Sequence, residues 1–351
     1  MADYTAIDDP SAHFQVDLYT GQGNGTVITN DGNSNLQPDL VWFKRRGGLG
    51  YHQIVDSSRG GTKRLWANDD GAEGTGSQIA SFDSDGFTCG SATDLAPADT
   101  CVAWQWKANG GTRTTNTESG NNPAGGYQAN TTAGFSIVDY TGTGAAGTMA
   151  HGLGAVPHFI LFKARSEDSN NWAVYHHKNT SAPETDFLRL DTQDATTDND
   201  NFMNDTAPTS SVFTVNTGSK VNSDGETYIA YAWTGIQGYS KFGVYTGTAD
   251  ADGPFVYTGF RPGWILIKNT ANYYDWVVLD HKRPGFNPES YRLKAHDNSV
   301  EYTGLLLDIY SNGFKPRNTS GDTNLNDGTI VYAAFAAHPF VTSGGVPCTA
   351  V

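Results

Sequence analysis

One short pattern occurs three times in this chain and limits the folds open to it. A proline, one further residue, four apolar residues and a lysine run from Pro38 to Lys44, from Pro157 to Lys163 and from Pro262 to Lys268. A short apolar run bounded by turn residues is typical of a strand covered on both faces. Three copies with matching flanks predict a repeated architecture.

The flanking segments also recur. Each copy follows an opening segment and precedes a closing segment; the opening segments are FQVDLYTG, FSIVDYTG and KFGVYTG, and the closing segments are TCVAWQW, TYIAYAW and TIVYAAF. Aromatic and β-branched runs separated by turn residues predict several short strands in each unit. Many short strands of this kind are typical of a β-sandwich or jelly roll.

Composition favours the same fold class. Hydrophobic residues make up only 37% of the chain, but 8 Trp, 17 Tyr and 17 Phe can bury a large area, while 41 Gly favour turns over helices. We predict an all-β fold of three tandem antiparallel, jelly-roll-like β-sandwich repeats with little or no helix. The predicted parts are an N-terminal arm (1–13), repeats at 14–107, 134–238 and 239–340, a Gly/Asn/Thr-rich linker (108–133) and a C-terminal tail (341–351).

Several side chains within the repeats have two interpretations. Lys44, Lys163 and Lys268 could form a ring of cations for an acidic ligand, but we favour aliphatic stems that lie along the sheet while the ammonium stays in water. Trp172 and Trp276 are expected to be core residues between sheets, with His52 in the corresponding place of the first repeat.

The N-terminal arm and the C-terminal tail are expected to dock on neighbouring copies in a symmetric assembly.

The charge of the chain disfavours two classes of partner. Its net charge is −15 and its pI about 4.8, so nucleic-acid phosphates and anionic membranes would repel it. The N-terminus lacks a secretory signal pattern and no apolar window reaches about 18 residues, so we expect synthesis in the cytosol and no membrane insertion.

The three cysteines give no framework for a metal or for disulfides. Cys89, Cys101 and Cys348 form no C-x-x-C pair, so a zinc site is not indicated. Cys89 and Cys101 could face each other across a hairpin, but buried free thiols are the favoured interpretation.

Motifs of catalysis are missing from the sequence. The segment GTGAAG (Gly142 to Gly147) has the spacing of a dinucleotide-binding loop, but the strand HFILFK follows too soon for the helix that such a site requires. We interpret it as a turn. A glycosidase needs two carboxylates about 5–10 Å apart, and nothing selects a pair among the acidic residues. The sequence therefore predicts no enzyme, no catalytic residues and no cofactor.

The loop from Asp191 to Asp205 is the weak candidate for a metal site. Asp194, Asp198 and Asp200 supply oxygen ligands that Ca²⁺ accepts, but the glycine and the final glutamate of an EF-hand loop are missing. A solvated acidic loop is the default interpretation, and calcium remains open.

Three aromatic residues are the candidates for ligand binding. Tyr273, Tyr274 and Phe286 place apolar bulk in turn-rich segments where no core position is evident. The alternative is that they pack beneath a loop.

Longer motifs resemble a known family. The segments QPDLVWFK, SSRGGTKRLW, VAWQWKANGG, HGLGAVPHFILFK and DGPFVYTGFRPGWILIK are similar to those of a repeat family of little-characterised structural proteins in tailed, largely marine, bacteriophages. The resemblance covers nearly the whole chain and implies a virion component of tail-fibre or adhesin type. It supplies no catalytic residues, and the chain lacks the long stem or coiled coil of an independent fibre.

We therefore expect a virion protein in a tail-fibre or tail-tip appendage that contributes to host attachment. The expected partners are other virion proteins, further copies of the chain in a homo-oligomer, with a trimer favoured, and a host surface glycan or protein. A head-decoration or fibre-base protein without receptor contact is the alternative, and a glycan depolymerase is a more distant one.

Overall fold

The fold is almost entirely antiparallel β-sheet, as the sequence predicts. The structure is a computed structural model, and it describes residues 5–91, 99–117, 119–271 and 273–349. Within these ranges the helices are a 3₁₀ helix at Pro10–Ala12 and two α-helices of one turn, α1 (Ser219–Asn222) and α2 (Gly321–Asn324). Among the described residues, no helix is both long enough and apolar enough to cross a bilayer.

The first part of the chain forms a large sheet and a small one. Its strands are β1 (Phe14–Thr20), β2 (Val27–Ile28), β3 (Leu40–Arg45), β4 (Gln53–Asp56), β5 (Lys63–Trp66), β6 (Gly74–Thr75), β7 (Ile79–Asp83), β8 (Gly86–Cys89) and β9 (Thr100–Trp106). Sheet I has the order β1-β9-β3-β4-β5-β6, and a small sheet has the order β2-β8-β7.

The second part also forms one large sheet, together with two two-stranded sheets. Its strands are β10 (Thr114–Asn116), β11 (Ala124–Asn130), β12 (Phe135–Thr141), β13 (Gly147–Ala150), β14 (Phe159–Ala164), β15 (Ala173–His176), β16 (Asp186–Phe187), β17 (Thr197–Asp198), β18 (Val212–Val215) and β19 (Thr227–Trp233). Sheet II has the order β10-β11-β12-β19-β14-β15, and β13 pairs with β18 and β16 with β17.

The third part contains sheet III. Its strands are β20 (Ser240–Thr246), β21 (Val256–Tyr257), β22 (Phe260–Asn269), β23 (Trp276–Asp280), β24 (Leu293–Lys294), β25 (Leu307–Tyr310), β26 (Gly313–Pro316) and β27 (Thr329–Pro339). Sheet III has the order β20-β27-β22-β23-β24, and a small sheet has the order β21-β26-β25.

The three large sheets share the order of four central strands, β1-β9-β3-β4, β12-β19-β14-β15 and β20-β27-β22-β23. In each, the opening strand pairs with the closing strand, which pairs with the Pro-apolar-Lys strand. The opening strands β1, β12 and β20 each pair over seven residues in the same register, beginning opposite Trp106, Trp233 and Phe335. The division into three tandem sandwich repeats at the predicted boundaries stays a prediction, which this recurrence supports.

Both faces of each large sheet are buried. One face packs on the neighbouring small sheet or loops and forms a separate hydrophobic cluster. The other faces of sheets I, II and III meet in one central cluster, where Trp106 contacts Trp233, Trp264 and Phe335 with ring centroids 5.5–6.1 Å apart. Trp172 and Trp276 lie in this cluster, as predicted for core residues, and His52 is also fully buried.

The positions of the three strand-ending lysines differ from the prediction. Lys44, Lys163 and Lys268 have no exposed surface, so the expectation of a wet ammonium is wrong. Each ammonium donates to one backbone carbonyl in or near its own strand and to one in the loops of a different sheet. The near carbonyls are those of Arg45 for Lys44 (2.7 Å), Asn170 for Lys163 (2.7 Å) and Tyr274 for Lys268 (2.8 Å). The distant carbonyls are those of Asn298 for Lys44 (3.5 Å), Asp70 for Lys163 (3.0 Å) and Gln193 for Lys268 (3.2 Å). Loop carbonyls thus replace water around the ammonium, and burial lowers the pKa of all three lysines to about 8.

These contacts connect the sheets in a closed circle. Trp172 of sheet II donates its Nε1–H to the Trp66 carbonyl of sheet I (2.8 Å), and Trp276 of sheet III donates to the Arg189 carbonyl (2.6 Å) that follows β16. Trp104 of sheet I donates to the Asp280 carboxylate of sheet III (3.0 Å). Each sheet and its loops therefore contact the other two through hydrogen bonds as well as through the aromatic centre.

The predicted linker is not irregular. Residues 108–133 contain β10 and β11, and β11 pairs with β12 over seven residues. Strands form in this segment although its sequence has no apolar periodicity, because pairing with a sheet edge satisfies backbone groups without apolar side chains. Buried Gln128 anchors β11 by donating its Nε2–H to Ser57 Oγ (2.8 Å) and Ser58 Oγ (2.6 Å) of sheet I's loop.

The terminal segments lie against their own chain. Ile7 reaches the central cluster, and the Asp8 carboxylate accepts from the backbone N–H (2.6 Å) and hydroxyl of Ser343 in the tail. Docking of these segments on neighbouring copies stays a prediction.

The predicted turn and the predicted thiols have the expected local structure. Gly147 begins strand β13 and no helix follows it, in agreement with the interpretation of GTGAAG as a turn. Cys89 and Cys101 are buried free thiols, and burial raises their pKa values to about 12 and about 11.

Candidate functional site: a groove along strand β20

A groove of about 740 Å³ runs along β20, between sheets II and III. We call it the β20 groove. One wall is β20 itself, the second is β21 with its flanks (Phe255–Gly259), and the third is His158 with His177 and Lys178, which follow β15. Concave sites with apolar walls and a few polar groups are the usual form of a binding site.

The groove exists because β20 is the end strand of sheet III. In the described part of the chain, no strand pairs with its outer edge. Phe242 points into the central cluster, whereas Val244, two residues further on, is 42% exposed. Phe255 and Tyr257 on the opposite wall are 48% and 54% exposed. Apolar side chains therefore line a cleft that also offers free backbone groups.

Two stacked histidines close one end of the groove. The rings of His158 and His177 lie 4.2 Å apart. His158 Nδ1 accepts from the Gly235 N–H (2.9 Å), and His177 Nε2 donates to the Phe242 carbonyl (2.8 Å). Burial lowers the pKa of His158, and it lowers that of His177 to about 4. Both imidazoles are thus neutral near pH 7.

The rim of the groove is basic although the protein is strongly acidic. The Lys241 ammonium donates to the Tyr257 carbonyl (2.7 Å) and lies 5.1 Å from the centre of the Tyr257 ring. Lys178 is exposed at the histidine end. The described residues that line the groove include no carboxylate. A general acid–base pair of carboxylates is therefore not formed there, and the groove is suited to binding.

The aromatic candidates from the sequence lie elsewhere in sheet III's loops. Tyr273 is 82% exposed and Phe286 is 67% exposed. Tyr274 is half-buried, and its ring lies so close to Gly321 that a β-carbon there would sit 2.3 Å from Cε1. The Tyr273 N–H donates to the Gln193 carbonyl (2.9 Å), which fixes its loop against the second part of the chain. Packing beneath a loop thus applies to Tyr274 and not to the other two.

The three aspartate candidates have separate local contacts, and the cited contacts of Asp198 and Asp200 are those of the backbone. Asp194 accepts from Arg189 (3.0 Å), Asp198 lies opposite Asp186 in the β16–β17 pair, and the Asp200 carbonyl accepts from Asn216 (2.9 Å). Across the described ranges, no three His, Cys, Asp or Glu side chains are grouped as metal ligands, and this loop is no exception.

Sequence reasoning did not find the β20 groove. The one available signal was Val244, an apolar residue at the position that Asp139 occupies in β12. Asp139 forms an ion pair with Arg113 (2.7 Å), in the segment that leads into β10. Without the fold, nothing showed that the edge of β12 is covered by β11 while the edge of β20 is open.

Comparison with known proteins identifies a family without a described activity. A family described as Domain of unknown function (DUF7483) matches residues 9–339, so the chain belongs to it. No curated protein and no solved structure matches the chain.

Proposed function

We propose that this protein is a structural component of a bacteriophage virion, in a tail-fibre or tail-tip appendage, and that it contributes to host-surface attachment by binding and not by catalysis. The observation that carries the proposal is the exposure of Tyr273 and Phe286 on loops of sheet III. Exposure of a large aromatic ring to water is unfavourable, and its burial against a sugar face or a protein surface is favourable.

The rest of the molecule suits this role. Aromatic packing in the central cluster and buried hydrogen bonds between the sheets hold the loops in place, so little ordering is required when a ligand binds. Several copies on one particle would bind together, and multivalency would convert weak single contacts into firm adsorption. The phage assignment comes from the sequence resemblance, and the acidic surface is compatible with an exposed particle protein.

The test is adsorption of labelled purified protein to host cells. The Tyr273→Ala/Phe286→Ala double variant should bind at least tenfold less than the wild type, because both rings are exposed and neither supports the core. Val27→Ala is the matched control, since Val27 is 61% exposed on β2, in the first part of the chain, and should not change adsorption.

Thermal unfolding of both variants checks that the fold is retained. Adsorption of the double variant at the wild-type level would refute attachment through these loops. Immunolabelling of intact particles then separates a tail position from a position on the head.

A further inference from the structure

Strand β11 shows how an additional strand can pair with the kind of edge that β20 presents to the β20 groove. In sheet II the opening strand β12 is covered along its outer edge by β11, with Tyr127 opposite Val138 and Gln128 opposite Ile137. The register shared by β12 and β20 makes Gly243 correspond to Val138 and Phe242 to Ile137. The outer strand edge that β11 covers in sheet II thus has no paired strand in sheet III within the described residues.

The side chains of β11 show how such an occupant is held. The Tyr127 ring lies directly on Gly152, where an added β-carbon would be 2.0 Å from Cε2. Gly259 corresponds to Gly152, because each lies three residues after the strand residue that pairs with Phe213 or Phe314. Both glycines have a left-handed backbone, with φ 86° in Gly259 and 69° in Gly152. The atoms nearest to a β-carbon on Gly259 belong to the Tyr257 ring, at 3.5–3.7 Å. The Tyr332 ring lies against Gly243, where an added β-carbon would be 2.6 Å from its hydroxyl oxygen, so the place left for an aromatic side chain is the part of the groove beside Gly259.

The backbone of β20 is also ready for pairing. Groups of alternate strand residues point to the same edge, and the Phe242 carbonyl already accepts from His177 across the groove. Phe242 and Val244 therefore direct their N–H and C=O groups outward. An incoming strand would pair with both residues, and the His177 imidazole would turn aside from the carbonyl that it now covers.

We propose that the β20 groove binds an extended segment of a partner polypeptide, which adds to sheet III as an antiparallel strand beside β20. The segment carries an aromatic side chain over Gly259, in the manner of Tyr127. Addition of a strand to a sheet edge takes its affinity from backbone pairing and its specificity from pockets for alternate side chains. This surface is separate from the exposed loops of Tyr273 and Phe286.

Charge indicates the next side chain of the partner. Gln128 meets Ser57 and Ser58, the two residues that follow β4, and the two residues that follow β15 are His177 and Lys178. The partner residue after the aromatic one therefore faces an imidazole and an ammonium, and an acidic side chain fits there better than glutamine.

The edge of β1 is a poorer candidate. The corresponding space beside it is about 310 Å³ and contains an ion pair between Lys282 and Asp31. Strand β1 therefore serves as a control in the binding experiment, because its edge should not bind the added strand.

A synthetic peptide of residues 121–133 of this chain, NNPAGGYQANTTA, is the probe, because it contains the strand that already pairs with the corresponding edge. Calorimetric titration into the full chain should show saturable binding. A peptide with Tyr127→Ala should bind at least tenfold more weakly, and one with Gln128→Glu severalfold more tightly at low salt.

A matched pair of protein variants locates the site. Val244→Pro removes one outward N–H from β20 and should weaken peptide binding at least tenfold, whereas Leu18→Pro makes the same change in β1 and should leave binding unchanged. Amide hydrogen exchange on the wild-type chain gives the same information without a variant, since the peptide should protect the Phe242 and Val244 amides.

Three results would overturn the proposal. They are no saturable binding at millimolar peptide, binding insensitive to both Tyr127→Ala and Val244→Pro, and binding without protection of the β20 amides. Displacement of the peptide by a neutral oligosaccharide that gives no amide protection would identify the groove as a sugar site instead.

Discussion

Replacing Lys163 with methionine removes a buried ammonium and keeps most of the length of the side chain. In the folded protein burial lowers the pKa of Lys163 from 10.5 to about 8, even though its Nζ donates to the Asn170 and Asp70 carbonyls. The unfolded chain keeps the proton up to pH 10.5 or so. Between these two pH values the unfolded state binds more protons, so the stability contributed by this group rises with pH.

The size of the effect follows from the two pKa values. Each pH unit corresponds to about 1.4 kcal/mol, so the wild type should gain about 3 kcal/mol from Lys163 between pH 8 and pH 10.5. Lys163→Met cannot make this gain and also removes the donor to the Asn170 carbonyl, which costs about 1–3 kcal/mol, whereas the Asp70 carbonyl still accepts from the Asn170 N–H (3.0 Å). The free energy of unfolding of the wild type should therefore rise relative to that of the variant by about 3 kcal/mol between pH 8 and pH 10.5.

The assay is urea unfolding of both proteins at pH 7, 8, 9, 10 and 10.5. Cysteines and tyrosines that titrate in this range are common to both proteins and cancel in the difference. Lys178→Met is the matched control for the loss of an ammonium group, because Lys178 is exposed. A Lys163→Met difference that stays constant from pH 8 to pH 10.5 would refute the burial of a charged ammonium at this position.

Two further substitutions test the packing between elements. Gly152→Ala should destabilise the protein by about 1–3 kcal/mol more than Gly154→Ala, because both glycines have a φ of 69° but only Gly152 lies under the Tyr127 ring. An equal loss of stability in the two variants, measured by thermal or urea unfolding, would contradict the contact between β11 and the loops of sheet II. Trp172→Phe should cost about 1–3 kcal/mol beyond the loss of ring area, because the buried Trp66 carbonyl loses its donor. Retention of wild-type stability in Trp172→Phe would show that this carbonyl finds another partner.

The strands that the sequence predicted best are those with strong local signals. The runs that end at Lys44, Lys163 and Lys268 are apolar on both faces, and each became a central strand between two buried layers. The lysines themselves were misplaced because each of the three ammonium groups donates to one carbonyl that lies more than 70 residues away along the chain, and no local pattern records such a contact.

The remaining differences have a similar cause. In β11 the residues Gly125 and Gly126 give no apolar alternation, so the strand is defined by the edge that it covers and not by its own side chains. Val244 is exposed only because no corresponding strand of the described chain lies beside β20. Tyr273 and Phe286 could be selected from the sequence because turn-rich surroundings predict exposure, whereas Tyr274 could not be separated from them without knowing the position of Gly321.

Imaging of intact particles of the proposed phage is the most direct test of the proposed role in host attachment. An antibody against the folded chain, or density that fits the three sheets around their aromatic centre, should be found at the tail tip or on a tail fibre, with the loops of Tyr273 and Phe286 facing outward. A position on the capsid, or absence of the protein from purified particles, would contradict the account.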